Sequence, residues 1–334
     1  MRKEKEIFID IEGYWWIPGK YLLVSAKRIS IFIVLVSFLI SCQNGPSTPT
    51  QGQQKIYIDE SYQQLFQGEV ETFEGLYKQG DIVDVYKPEG EIVSDLLNDS
   101  CRMAILGRDL TQKEKDFFKS KNSFPVSTKI AVDAMAFITS KDNPVKELTY
   151  NELKEIFTGK ITDWKLLDSS IKGKSSQDTS ITIVFDNEKS CNVRTVRDKL
   201  LSGAEFPKNI FALKTNPEVI DFVSKNKNAI GIIGVNWISD RDDTLTRTFL
   251  SNVNVLGVSS EENPGDFFQP FQAYIHSGEY PFCRDMYIIN REGRTGLGTG
   301  FAAFVAGDKG QLIILKAGMV PATQPVRLVK ITNN

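Results

Sequence analysis

Few side chains in this chain have the chemistry of a nucleophile, a general base or a metal ligand. Its 334 residues contain one histidine, His276, and four cysteines, none of which lies in a C-x-x-C pair. The cysteine spacing supports neither a zinc site nor a redox motif. Cys191 and His276 are the one conceivable thiol–imidazole pair, but His276 follows Ala273-Tyr-Ile, which is typical of a strand end with a solvated histidine. We therefore expect a protein that is not an enzyme and uses no metal and no cofactor.

Nucleotide and nucleic-acid ligands are also disfavoured. The glycine-rich stretch Gly296-Leu-Gly-Thr-Gly300 has no strand-borne acid about twenty residues on, as a dinucleotide site requires. Lys and Arg number 40 against 42 Asp and Glu, so a net charge of -2 provides no basic field for nucleic acid. With 41% hydrophobic and 25% charged residues, the composition is globular, and the length allows one large domain or two lobes.

A targeting signal runs from Lys27 to Cys42. Lys27 and Arg28 precede an apolar stretch, Ile29 to Ile40, which is too short to span a membrane as a helix but has the length of a signal-peptide core. Leu39-Ile-Ser-Cys42 resembles the lipobox of bacterial lipoproteins, in which the cysteine receives the acyl chains. The alternative is an apolar core helix. We expect residues 1–41 to be a signal peptide and Cys42 to be lipidated.

The polar run that follows, residues 42–54, contains Pro and Gly and predicts a tether with nothing to bury. Ile7 to Trp16 is acidic and aromatic, unlike the start of a signal peptide, so residues 1–26 favour a start assigned too far upstream, with a longer n-region as the alternative. Cleavage before Cys42 would leave 34 Lys+Arg and 38 Asp+Glu, a net charge of -4. Three cysteines besides Cys42 then leave at least one free thiol or an intermolecular bridge, and which pair could bond stays open.

Beyond the tether, short apolar runs alternate with amphipathic stretches, which predicts an α/β fold with largely parallel sheets. Thr149 and Glu152 form a capping box that predicts a helix start, with Ser61 a second candidate cap for a helix through Phe73. A long closing helix is expected over Phe301 to Ala317. The predicted strands are 55–59, 84–86, 103–106, 130–139, 179–185, 229–234, 253–258 and 286–289.

The string LTYNELKEIFTGKITDW over Leu148–Trp164 resembles a signature of the periplasmic phosphate-binding proteins, the solute receptors of Pst-type ABC importers. Further segments resemble that family in order and spacing: VDAMAF (132–137) with NPV (143–145), NAIGIIG (228–234), YPFCR (280–284) and the C-terminal stretch 300–321. The resemblance covers roughly residues 55 to 330. One such match could be chance, but several in order are not.

The resemblance implies a type II periplasmic binding protein, with two α/β lobes joined by a two-strand hinge and a ligand cleft between them. Lobe 1 would comprise residues 55–135 and 260–334, and lobe 2 residues 136–259. The implied function is a lipid-anchored, monomeric receptor in the cell envelope that captures phosphate and delivers it to ABC permease subunits, with no nucleic-acid partner. Another oxyanion, or a receptor that signals or adheres without transport, is the alternative, because fold does not decide ligand.

Four loops could supply the amides, hydroxyls and arginine that an oxyanion needs. The first contains Ser61 and Tyr62, although Ser61 could equally be a plain helix cap. In the second, residues 87–91, only Gly90 is a candidate, because Glu89 and Glu91 are poor neighbours for an anion. The third offers Arg108, either as an anion ligand or as a surface ion-pair partner.

The fourth loop, residues 185–194, lies where the family has an R-x-x-x-S-G-T pattern. Ser190, Cys191 and Asn192 stand at the S-G-T positions, and Asp186 replaces the arginine, a clear departure. Arg194 could supply the missing charge, or could be a helix-surface residue. Asp133, in the middle of a strand, would either bond at the hinge, which we favour, or accept a ligand proton.

Overall fold

The computed structural model describes residues 47–167, 178–202, 205–239 and 244–324. The predicted signal peptide and Cys42 lie outside these residues. Within them, no helix combines the length and apolar character needed to cross a membrane. Cys101, Cys191 and Cys283 are all unbridged.

The strands are short, apart from one that runs for 15 residues. They are β1 Gln51–Asp59, β2 Gln79–Lys87, β3 Met103–Leu106, β4 Val126–Ser140, β5 Glu147–Leu148, β6 Thr182–Phe185, β7 Ile210–Ala212, β8 Ala229–Gly234, β9 Val253–Val255, β10 Gly257–Val258, β11 Cys283–Asn290 and β12 Val320–Pro321.

The helices lie between the strands. They are α1 Gln63–Leu76, α2 Glu89–Leu97, α3 Gln112–Ser120, α4 Tyr150–Phe157, α5 Cys191–Val196, α6 Asn216–Lys225, α7 Asn236–Ser239, α8 Thr244–Asn252, α9 Gln272–Ser277, α10 Leu297–Val305 and α11 Asp308–Lys316. A π-helical turn, Arg197–Leu201, continues α5, and 3-10 turns cover Glu60–Tyr62 and Trp164–Leu166. This alternation of strands and helices is the predicted α/β class.

The main sheet has the strand order β2-β1-β3-β11-β4-β8-β6-β7. β1 pairs in parallel with β2 and β3, and β6 pairs in parallel with β7 and β8. β4 joins these two parallel groups through antiparallel pairs with β11 and β8. Its partner changes from β11 to β8 between Ala134 and Met135, so one strand is shared by two halves of the sheet.

The carboxyl ends of the two parallel groups lie against each other. β1, β2 and β3 lead into the loops that carry Asp59, Glu89 and Gly107, while β6 leads into Asp186. Hydrogen bonds join the two sets of loops directly, including the Gly90 amide to the Lys189 carbonyl oxygen at 2.9 Å. Ligands of open α/β sheets bind outside such carboxyl ends, so this meeting point is where a site is expected.

Several sequence predictions match the elements closely. β3 has the predicted bounds, and Thr149 caps α4 in a reciprocal capping box with Glu152. β1 starts at Gln51, so four residues of the predicted tether pair with β2. Their residue types carry no strand signal; the backbone ladder with β2 places them, together with a hydrogen bond from the Gln53 side chain to Asp81 at 2.6 Å.

Three local predictions were wrong in detail. The closing helix is two helices, because Gly307 has extended backbone angles (φ -87°, ψ 174°) although the apolar periodicity continues through it. His276 lies exposed on α9 rather than at a strand end. Ser61 does not cap α1: the side chain of Asp59 caps the preceding 3-10 turn, and the Ser61 hydroxyl is bonded elsewhere.

Candidate functional site

A buried polar cluster lies where the carboxyl ends of the two strand groups meet. Its polar members are Asp59, Ser61, Glu89, Asp133, Asp186, Ser190, Asn192, Asn216 and Arg284, each at most 6% exposed. Burying this many polar groups is costly unless each is hydrogen-bonded. The cluster is therefore held in one arrangement by its own bonds.

Asp186 is the most fully bonded carboxylate of the cluster. Its Oδ2 accepts hydrogen bonds from the side chains of Ser61 (3.2 Å), Asn192 (2.8 Å) and Asn216 (3.1 Å). Its Oδ1 accepts from the Ser190 hydroxyl at 2.6 Å and from the Asn187 amide at 2.9 Å. Five donors on one carboxylate form the kind of shell that holds a bound oxyanion.

Asp59 has a shell of backbone amides. It accepts from the amides of Ser61 (2.9 Å), Glu89 (2.8 Å) and Cys191 (3.4 Å), and the Cys191 Sγ lies 3.2 Å from its Oδ1. Burial, together with the negative charges of Glu89 and Asp186, raises the pKa of Asp59 to about 6. Its amide donors only partly offset the cost of keeping the charge away from water.

Glu89 connects two arginines to the end of β3. It accepts from the Gly107 amide at 2.8 Å and from the Arg194 guanidinium through Nε and Nη2. Arg194 also donates to the Gly107 carbonyl oxygen at 2.9 Å. Arg108 lies farther out: its Nε is 3.8 Å from Glu89, while two of its nitrogens each lie 2.8 Å from the Glu114 carboxylate.

Arg284 forms the far wall of the cluster. Its Nε donates to Asp133 at 2.7 Å, its Nη1 donates to Asn192 Oδ1 at 2.8 Å, and its guanidinium lies 5.5 Å from the centre of the Tyr62 ring. The register of β4 and β11 places Asp133 opposite Arg284. The second oxygen of Asp133, Oδ1, is buried with no hydrogen-bond partner among the described residues. The pair thus fixes the strands where β4 changes its partner.

Close packing around Gly107 leaves no room for a side chain. A Cβ there would lie 2.8 Å from the Tyr62 hydroxyl oxygen and 3.1 Å from the Cys191 Cβ. Real Cβ atoms essentially never come as close as the first distance, so glycine is required at the end of β3 for the loops to meet.

The structure places seven of the nine predicted ligand residues in the cluster or bonded to it: Ser61, Tyr62, Asp133, Ser190, Cys191, Asn192 and Arg194. Gly90 lies at the rim, with its amide bonded to Lys189. Arg108 pairs with Glu114, the alternative that the sequence left open. Ser190 also caps α5, accepting from the Val193 amide at 3.2 Å. Whether these residues bind a ligand stays a prediction.

Sequence reasoning overlooked three members of the cluster, Asp59, Asn216 and Arg284. Asp59 is the last residue of a predicted strand, and nothing in that position indicates a site. Arg284 is the last residue of the YPFCR segment, which leads into a strand. An arginine at that position was the sequence signal that could have indicated it as a site residue. Asn216 precedes Pro217 at the start of α6, and its Oδ1 accepts from the Gly234 amide at 3.0 Å. An asparagine there is typical of a helix start, so no sequence signal separated it from a cap.

The thiol of Cys191 is not activated in the cluster. Burial raises the pKa of the Cys191 thiol well above its usual value, so the nucleophilic thiolate is disfavoured. In the described ranges, no three His, Cys, Asp or Glu side chains are arranged to hold a metal ion. What the cluster offers is a set of neutral donors and two guanidiniums that converge on carboxylates.

Comparison with known proteins identifies the family of this chain. The family model of the PBP superfamily domain matches residues 44–309. A phosphate-binding protein PstS of Borreliella burgdorferi is 25% identical over 236 residues, 68% of this chain and 75% of the relative. A PstS of Staphylococcus saprophyticus is 30% identical over 213 residues, 61% of this chain and 60% of the relative.

Two solved structures share the fold. A putative phosphate ABC transporter substrate-binding protein from Clostridium perfringens, with bound phosphate, superposes with a TM-score of 0.66 at 22% identity, covering 81% of this chain and 100% of its own. An ABC-type phosphate transport receptor from Vibrio cholerae gives 0.59 at 18% identity, with 81% and 100% covered. The fold is thus that of the type II periplasmic binding proteins, as the sequence predicted.

Proposed function

Since this chain belongs to the PBP superfamily, we propose that it is a binding protein that captures phosphate rather than an enzyme. The observation that carries the proposal is the convergence of Ser61, Ser190, Asn192 and Asn216 on one point, where they already hold a carboxylate. A tetrahedral oxyanion accepts hydrogen bonds from the same kinds of donor. The curated relatives named above as phosphate-binding proteins support phosphate as the anion.

The donors come from both halves of the sheet, which fits capture between two lobes. We propose lobe 1 as residues 55–135 with 260–334 and lobe 2 as residues 136–259. The change in partner of β4 between Ala134 and Met135 lies next to this boundary. In this arrangement lobe closure brings Ser61 to Ser190 and Asn192, and buries the ligand.

We further propose that Cys42 carries the lipid anchor, that the protein lies in the cell envelope, and that it acts as a monomer which delivers its ligand to ABC permease subunits. The lipobox-like Leu39-Ile-Ser-Cys42 supports the anchor. The name of the Clostridium perfringens neighbour, an ABC transporter substrate-binding protein, supports the permease as a partner. Mass spectrometry of the protein from membranes tests the anchor: an unmodified Cys42, or a chain that still carries residues 1–41, would contradict it.

Titration calorimetry with phosphate, sulfate and molybdate tests the ligand. Phosphate should bind the wild-type protein, and Ser61→Ala should weaken binding by about 1–3 kcal/mol, because it removes one buried donor. Ser94→Ala is the matched control, since Ser94 is exposed and bonds only within α2.

Each outcome separates the possibilities. Binding of sulfate or molybdate in place of phosphate would support the receptor function but show that the ligand is a different oxyanion. Equal phosphate affinity in the Ser61→Ala and Ser94→Ala variants would refute the site. No heat with any oxyanion, after removal of bound ligand, would refute the function itself.

A further inference from the structure

The donors of the candidate site are bonded to the chain's own carboxylates. Asp59 accepts hydrogen bonds from the amides of Ser61 and Glu89. Glu89 accepts hydrogen bonds from the Gly107 amide and the Arg194 guanidinium. Asp186 accepts hydrogen bonds from four side chains, those of Ser61, Ser190, Asn192 and Asn216. A free oxyanion needs the same donors. The protein's own carboxylates and the ligand therefore cannot be bonded to these donors at the same time.

The charges in the cluster point the same way. Four buried carboxylates, Asp59, Glu89, Asp133 and Asp186, face the guanidiniums of Arg194 and Arg284, whereas Arg108, 3.8 Å from Glu89, is shared with Glu114. A further negative charge entering this cluster meets repulsion that few water molecules screen. One carboxylate must therefore leave its donors, or lose its charge, when an anion binds.

Asp186 is the carboxylate best placed to yield. Asp59 is held mainly by backbone amides, which the fold keeps in place, and Glu89 is held by the Gly107 amide and the Arg194 guanidinium. The partners of Asp186 are mostly hydroxyl and amide side chains, which can turn to another acceptor. Its bond to Ser61 joins residues 125 positions apart, across the two halves of the sheet.

We infer that Asp186 limits the affinity of the site: its carboxylate is a built-in anion that competes with the free oxyanion for the donors of Ser61, Ser190, Asn192 and Asn216, and so weakens binding. The inference rests on the proposed phosphate-binding function. According to this inference, a single side chain controls how tightly the cleft binds its ligand.

Replacing Asp186 tests the inference. In Asp186→Asn, one negative charge is lost, and the Nδ2 that replaces one carboxylate oxygen cannot accept a hydrogen bond, so the donors on that side lose their acceptor. Phosphate affinity of the purified full chain, measured by calorimetry at neutral pH, should rise at least tenfold over wild type. Asp186→Ala, which also leaves space, should give a gain of the same sign, and far-UV circular dichroism of both variants checks that they are folded.

Glu91→Gln is the matched control. Glu91 lies in the first turn of α2 with its side chain 45% exposed and paired with Lys189, so the variant removes one charge and releases a surface lysine but no donor of the cluster. It should change phosphate affinity less than twofold. A tenfold gain in this control as well would overturn the competition argument and leave only general electrostatics.

The outcomes also separate the inference from the proposed function. Wild type and both Asp186 variants binding phosphate equally would overturn the inference and leave the function standing. Tight binding by the variants beside none by wild type would support the inference and overturn the function of the native chain. Binding by none of the three would overturn both.

Discussion

Glu69 is a carboxyl group buried in α1 with no hydrogen-bond partner for either oxygen among the described residues. Burial raises its pKa to about 9. An ordinary glutamate titrates near 4.3, so in the folded protein this side chain is neutral at pH 7, whereas in the unfolded chain it is ionised. The group therefore lowers stability increasingly as the pH rises from about 4.3 to about 9.

Glu69→Gln should remove this dependence, because an amide does not titrate. The difference in free energy of unfolding between the variant and the wild type should shift in favour of the variant by up to about 1.4 kcal/mol for each pH unit between pH 5 and 8. Urea unfolding at several pH values measures it. Glu71→Gln, at an exposed position of the same helix, is the control and should show no such trend; parallel curves for Glu69→Gln and wild type would contradict the prediction.

At the scale of single residues, the sequence indicated which residues could lie at the site, but not which hydrogen-bond partners each of them has. Ser190 and Asn192 were recognised by their place in a motif, and both lie in the cluster. Asp186 was noticed only as a departure, since nothing local shows that its carboxylate would collect five donors. Those donors come from segments up to 125 positions away, and only the fold brings them together.

The helix whose start is predicted most directly by the sequence is α4. Thr149 Oγ1 accepts from the Glu152 amide at 3.1 Å, and the Glu152 carboxylate accepts from the Thr149 amide at 2.8 Å. The helix has eight residues and buries Leu153, Ile156 and Phe157. So short a helix depends on its cap, because few internal bonds offset the cost of ordering it.

Thr149→Ala should therefore lower the free energy of unfolding by about 1 kcal/mol, the usual effect of losing a side-chain cap. Thr149→Ser keeps the capping oxygen and should remain within a few tenths of a kcal/mol of wild type. Chemical denaturation of the three proteins makes the comparison, and equal losses in both variants would mean that the methyl group rather than the cap matters.

The whole molecule has a core that is continuous across the shared strand. One cluster of buried apolar side chains includes Ile56 and Met103 from the first half of the sheet and Phe137, Phe185 and Ile230 from the second. β4 pairs with strands of both halves. Neither half can lose its packing without exposing part of the other.

We therefore expect the two halves to unfold together. Tryptophan fluorescence, which beyond residue 46 reports on Trp164 and Trp237 in the second half, should give the same urea midpoint as far-UV circular dichroism, which reports on both halves. Two separated midpoints would show that the halves are independent. Phosphate should raise both midpoints equally, because ligand held by both halves stabilises the folded state as one unit.

The sequence by itself determined the α/β class, most strand positions, the Thr149 cap and the family resemblance. These follow from short-range periodicity and from motifs whose residues are neighbours in the chain. Only the tertiary structure decided that β4 is shared, that the closing helix breaks at Gly307, and that Asp59, Glu89 and Asp186 accept hydrogen bonds from Cys191, Arg194 and Ser61, respectively. Hydrogen bonds between segments more than a hundred residues apart depend on how the strands are ordered, and a local pattern carries no record of that order.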